Sequence, residues 1–159
     1  MSIVGTEISG ARVLDLFSGS GALGLEALSR GAISADFVDN HPESLALIKA
    51  NAASLGAGDR AVIHRAEALA FIAGLGARQF DIAFADPPYG LSLATRVAEQ
   101  WLKRPFATLL GIEHRVDETL PGGGERRKYG GTVITFFRSE TGAADRAIFT
   151  ADSLPDSKS

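Results

Sequence analysis

Apolar residues in this chain fall into short blocks with two different spacings. Residues 12–17, 35–38, 61–64, 80–85 and 108–113 are compact apolar runs, a pattern that predicts buried strands. Between them, residues 22–29 place Leu23, Ala27 and Leu28 on one helical face, and Gly31 supplies the stop. Residues 42–55 open on Pro42, at a position that a helix accepts in its first turn, and Gly56-Ala57-Gly58 breaks the run. Residues 66–75 and 91–102 predict two more helices, the second stopped before Pro105. Strand and helix alternate, and apolar strands in that order imply a mostly parallel sheet covered by helices on both faces. The rhythm changes after Glu113. Residues 125–129 and 132–138 flank Gly130-Gly131, a two-residue loop of the hairpin type. The expected fold is therefore α/β and Rossmann-like: a seven-stranded, mostly parallel sheet that finishes in an antiparallel hairpin. Gly122-Gly123-Gly124 is expected to form a mobile loop, and residues 151–159 a flexible polar tail.

A chain of 159 residues implies one domain, placed at residues 1–150. With 45% hydrophobic and 22% charged residues it has the composition of a globular protein rather than a disordered one. It has no cysteine, which excludes disulfides and cysteine-ligated zinc. No apolar run approaches the roughly 18 residues of a membrane helix. Residues 1–12 lack the features of a signal peptide, so a cytoplasmic protein is expected. The net charge is −3, but residues 96–138 hold eight basic and five acidic side chains. A positive segment joined to an acidic remainder permits nucleic-acid binding without selecting it.

Two motifs carry chemistry. Gly19-Ser20-Gly21-Ala22-Leu23-Gly24 follows a strand and opens a helix, and Asp39 comes 20 residues after Gly19 at the end of the next strand. That arrangement fits a dinucleotide site, with Asp39 holding ribose hydroxyls. Asp15, four residues before Gly19, favours a different ligand. A carboxylate there repels a pyrophosphate but suits a cationic sulfonium or ammonium group. Glu67 follows the third strand. It can accept from an adenine amino group, or it can serve as a first-turn helix carboxylate.

The second motif is Asp86-Pro87-Pro88-Tyr89, at the end of the fourth strand. An exocyclic base amine is a poor nucleophile because its lone pair is delocalised into the ring. The Asp86 carboxylate and the Pro87 carbonyl offer two acceptors for its N–H groups, the prolines fix the backbone in advance, and Tyr89 offers a ring for stacking. A paired base must flip out to reach such a pocket.

With these residues in hand, the chain resembles the class I methyltransferases that modify base amines. Within them it is most similar to the RsmD-type ribosomal RNA guanine-N2 methyltransferases of the bacterial small subunit. The stretches GARVLDLFSGSGALGLEALSRGA from Gly10, FVDN from Phe37, FDIAFADPPYG from Phe80 and RRKYGGTVITFFR from Arg126 carry the resemblance, over residues 10–138. It implies S-adenosylmethionine as cofactor, held by Asp15, Phe17, Gly19, Gly21, Asp39, Asn40, Glu67, Ala68 and Asp86. It also implies Asp86, Pro87, Pro88 and Tyr89 as the catalytic set. Tyr89 replaces the family's usual phenylalanine. The implied substrate is guanine N2 in 16S ribosomal RNA of an assembling small subunit, with Arg126, Arg127 and Lys128 as candidate RNA contacts and the chain acting as a monomer. The family carries a basic segment ahead of its first strand. Only nine residues, none of them Lys or Arg, precede Gly10 here, so that segment is expected to be absent. The alternatives are a DNA adenine-N6 methyltransferase, a cofactor-binding domain without catalysis, and a nicotinamide-dependent enzyme.

His41 is expected beside the ribose rather than in catalysis. His64 and His114 have no ligand-spaced partners, so no metal is expected. Trp101 and Phe106 are expected in the core.

Overall fold

The apolar blocks become the strands of one sheet in the computed structural model, which describes residues 8–139. The elements in chain order are β1 (Arg12–Leu16), α1 (Ala22–Ser29), β2 (Ser34–Asp39), α2 (Pro42–Ser54), β3 (Ala61–Arg65), α3 (Ala68–Ala73), β4 (Phe80–Ala85), α4 (Leu93–Lys103), β5 (Ala107–His114), β6 (Glu125–Tyr129) and β7 (Thr132–Arg138). The sheet has seven strands in the order β3-β2-β1-β4-β5-β7-β6. Strands β1 to β5 pair in parallel, and β7 pairs antiparallel with both β5 and β6. The expected architecture is therefore the observed one. The expected ends of the domain and its tail, residues 140–159, lie outside the described residues, as do residues 1–7.

Strand alternation divides the core between the two faces. Val13, Phe37, Ile82, Phe84 and Leu109 pack with Leu28 of α1 and Ile48 of α2. Leu14, Leu16, Val38, Ala83 and Leu110 pack on the other side with Ile72 of α3 and Val97 and Trp101 of α4. Trp101 and Phe106 are buried as expected, and the Trp101 indole N–H donates to the Ala107 carbonyl at 2.9 Å.

Element boundaries differ from expectation where the backbone turns left-handed. β1 ends at Leu16 because Phe17 has φ +56°, and α4 starts at Leu93 because Leu91 and Ser92 have φ +58° and +53°. The Gly122–Gly124 segment is packed. A Cβ at Gly122 would meet the Leu102 side chain at 2.7 Å, and one at Gly124 would meet the Phe136 carbonyl oxygen at 2.7 Å. These glycines allow close approach to α4 and β7.

The chain runs outward from β1 to β3 and then returns to the centre to build β4. The order therefore reverses between β1 and β4, and a crevice opens there at the carboxyl ends of the strands.

Candidate active site

Register fixes what lines that crevice. Leu16 stands beside Val38 on one side and Ala85 on the other, and Ala85 stands beside Ile112. One step further along each strand come Asp39, Phe17, Asp86 and Glu113, in that order across β2, β1, β4 and β5. A cavity of about 770 Å³ opens over the first three of them. Of the residues singled out from sequence, Phe17, Gly19, Asp39 and Asn40 form one end of its wall and Glu67 and Ala68 another. Asp86, Pro87, Pro88 and Tyr89 line it as well.

The glycine loop is held by its own hydrogen bonds. Gly19 N–H donates to Asp39 Oδ2 at 2.8 Å, and Gly21 N–H to the Ser18 carbonyl at 2.7 Å. Gly19 and Gly21 adopt φ +54° and +78°, which glycine reaches without the Cβ penalty. Gly24 is there for packing, since a Cβ would lie 2.3 Å from the buried Phe37 ring.

Asp15 and Gly21 do not reach the cavity wall. Asp15 is only 3% exposed, and its Oδ2 accepts from Gly24 N–H at 3.0 Å, in the first turn of α1. The protein thus supplies its own anion at the helix N-terminus. Burial pushes the Asp15 carboxyl up to about 7; the Gly24 hydrogen bond opposes this, and the charges of Asp86 and Asp39 add to it.

Asp39 is a carboxylate already in use. Besides Gly19, the backbone N–H of His41 donates to its Oδ1 at 2.9 Å and the His41 ring Nδ1 lies 2.8 Å from the same oxygen. Burial alone would raise its carboxyl, but these donors together outweigh it and hold the group below the ordinary value. Glu67 caps α3: its two oxygens accept from Leu69 N–H at 3.1 Å and Ala70 N–H at 3.0 Å. The helix-carboxylate alternative therefore holds, while the side chain still lines the cavity. Asp86 reaches solvent, yet the walls around it desolvate the carboxyl and raise it.

The Asp86–Tyr89 turn is rigid on one side and open on the other. Gly90, Leu91 and Ser92 follow it with three successive left-handed backbones. Tyr89 is 60% exposed, and the Arg115 guanidinium lies 5.5 Å from its ring centroid. Arg115, Arg96 on the cavity wall and the 84% exposed Leu91 at its mouth were not singled out from sequence. Arg96 lies on α4, outside both motifs, and only the fold turns it toward the cavity.

The three candidate RNA contacts separate. Arg126 donates to the carbonyls of Glu118, at 2.7 Å, and Val116, at 2.5 Å, and so ties down the segment after β5. Arg127 pairs with Glu125. Lys128 is exposed near the hairpin tip. His64 is paired with Asp36 at 2.7 Å. No group of three or more His, Asp or Glu side chains among the described residues is placed to hold a metal ion. No helix among them is long and apolar enough to cross a membrane.

The wall chemistry bears on which ligand the cavity takes. Asp39, Glu67 and Asp86 line the cavity together with Arg96, Asp15 lies behind them, and three N–H groups of the glycine loop, those of Gly19, Gly21 and Gly24, are spent on Asp39, Ser18 and Asp15. Three carboxylates on one wall favour a ligand that carries positive charge.

Known proteins are similar in sequence and shape. Residues 1–138 match the family model described as Conserved hypothetical protein 95. Ribosomal RNA small subunit methyltransferase D of Escherichia coli K12 is 38% identical over 117 residues, 70% of this chain, and the chain spans 57% of that relative's length. A conserved hypothetical protein of Streptococcus pyogenes superposes with a TM-score of 0.72 at 30% identity, covering 83% of this chain and 88% of that one. A hypothetical protein of a Thermus species does so with a TM-score of 0.69 at 34% identity, covering 81% and 75%. With the family model matched along most of its length and its fold and site arranged as described, the chain belongs to the Conserved hypothetical protein 95 family, the family of ribosomal RNA small subunit methyltransferase D.

Proposed function

We propose that this chain transfers the methyl group of S-adenosylmethionine to the exocyclic amine of a guanine in small-subunit ribosomal RNA. The observation that carries the reading is the shared cavity: the Asp86–Tyr89 turn and Asp39 line one space together with Glu67. When bound, the cofactor supplies an electrophilic methyl group on a positively charged sulfur. Asp39 and Asn40 hold the ribose hydroxyls, and Asp39 keeps acceptor capacity because each carboxylate oxygen has more than one lone-pair direction. Ala68, Glu67 and Phe17 would border the adenine. Asp15 acts from behind the wall, its charge favouring a cation in the cavity.

The Asp86 carboxylate and the Pro87 carbonyl accept the two N–H groups of the base amine, which orients its lone pair and keeps the reacting atoms in line. As the nitrogen–methyl bond forms and the sulfur–methyl bond breaks, the positive charge passes from sulfur, which leaves as a neutral thioether, to the amine. Asp86 stabilises it and takes the released proton, and a raised carboxyl is the better base for that step. Tyr89 covers one face of the flipped base, and Arg115 backs the ring. Lys128 and the exposed Leu91 lie where the RNA would approach. The reaction is read as cytoplasmic, on an assembling small subunit, by a monomer formed of one domain.

The test is methyl transfer from labelled S-adenosylmethionine to unmethylated small-subunit RNA, free and in subunits, with DNA in parallel. Label on guanine N2 in RNA, lost in Asp86→Ala at cofactor concentrations that saturate the variant, supports the reading. Label on DNA adenine, or cofactor binding without transfer to any acceptor, overturns it.

A further inference from the structure

Asp86 is the last of the strand ends to line the cavity, but the row of strand ends goes on. Glu113 holds the next position, beside Asp86 on the neighbouring strand, because Ala85 and Ile112 are register partners. Register partners on parallel strands project to the same side, and adjacent strands lie about 4.8 Å apart. Glu113 also borders a crevice of about 10 Å³ against Pro87, Pro88 and Tyr89, with room for a water at most. It is half-buried, and among the described residues no donor is bonded to its carboxylate. Burial raises both carboxyls, and the Asp86 charge raises Glu113 further, so the site is short of hydrogen-bond donors.

The end of β5 is fixed. Buried His114 donates from Nδ1 to the Arg115 carbonyl at 2.9 Å, and its Nε2 lies 2.7 Å from Thr135 Oγ1 on β7. Glu113 is therefore a carboxylate on a rigid strand end, beyond Asp86 from the cofactor cavity. A base whose amine is held at Asp86 can turn the neighbouring part of its edge toward that side.

We propose that Glu113 is a specificity-determining residue that accepts the N1–H of guanine while Asp86 accepts from the 2-amino group. The inference rests on the methyl-transfer reading above and deepens it. Guanine presents two adjacent donors on this edge, so two side-by-side carboxylates match it. Adenine presents one amine and a bare ring nitrogen, which would face a carboxylate with no proton between them. A site built to bond a donor strongly rejects a substrate that lacks it.

The experiment compares two RNA substrates that carry either guanosine or 2-aminopurine riboside at the methylated position. The second keeps the 2-amino group but has no N1–H. Wild type should strongly prefer guanosine. Glu113→Gln should lose roughly 10- to 100-fold in kcat/KM on guanosine. It should gain on 2-aminopurine, because the amide can donate to the bare N1. S-adenosylhomocysteine affinity should stay at the wild-type value, which also reports on folding. Equal loss on both substrates, or wild-type kinetics on both in Glu113→Gln, overturns the assignment of Glu113 and leaves methyl transfer standing. Absence of transfer by wild type overturns the methyl-transfer reading and this one with it.

Discussion

The Asp15 carboxylate accepts a hydrogen bond from the Gly24 N–H, 3.0 Å away, at the first turn of α1. Sequence spacing makes Gly19–Gly24 look like a cradle for phosphate, but the fold fills the anion position with a side chain of its own. The stability of the fold and its ligand preference meet at this one contact.

Asp15 stores a stability cost that depends on pH. Its pKa is raised from 3.8 to about 7 in the fold, so between those values the folded state holds a proton that the unfolded state has released. Its contribution therefore becomes less favourable as pH rises through that window, by up to about 4 kcal/mol if the whole shift is expressed. Asp15→Asn keeps an acceptor for Gly24 and removes the charge. It should raise the melting temperature at pH 8 relative to wild type and leave it nearly unchanged at pH 4. A stabilisation independent of pH would contradict this account.

Cofactor affinity should rise as pH approaches about 7, the value to which Asp15 is raised. A cation in the cavity favours the ionised forms of Asp15 and Asp86, both of which hold their protons to higher pH than usual in the free protein. Binding then releases protons, and titration calorimetry in buffers of different ionisation enthalpy should detect them. Asp39 does not contribute in this window, because its carboxyl is held below the ordinary value. Affinity that falls as pH rises would reverse the sign and refute the electrostatic reading.

Two glycine substitutions should behave oppositely. Gly24→Ala drives a Cβ to 2.3 Å from the fully buried Phe37, and an overpacked core of this kind costs about 1–3 kcal/mol. Gly131→Ala meets nothing within 4 Å and has no left-handed backbone to strain, so denaturant midpoints should show little change.

Arg115→Ala should weaken RNA and leave the cofactor alone. The guanidinium backs the Tyr89 ring from 5.5 Å, an exposed contact of about 0.5–1 kcal/mol. KM for RNA should rise a few-fold with S-adenosylhomocysteine binding unchanged. Tyr89→Ala should cost much more than Tyr89→Phe, since the ring rather than the hydroxyl is the stacking surface.

Much of this was legible in the sequence because it depends on local pattern. Apolar blocks gave the strands, Gly130-Gly131 gave the hairpin, and Asp86-Pro87-Pro88-Tyr89 stood out as an odd polar end to an apolar run. What escaped depends on tertiary register. Nothing local places Glu113 beside Asp86, Arg115 over Tyr89 or Arg96 on the cavity wall. Nor does local pattern say that Arg126 braces a loop instead of standing free.

The most direct measurement is calorimetric titration of the chain with S-adenosylmethionine, S-adenosylhomocysteine and NADH at neutral pH. Micromolar binding of the first two, lost in Asp39→Ala with the fold retained, and none of NADH is the expected result. Binding of NADH, or no binding of either adenosyl compound by the folded chain, would contradict the central claim that this acid-lined cavity holds a cationic nucleoside.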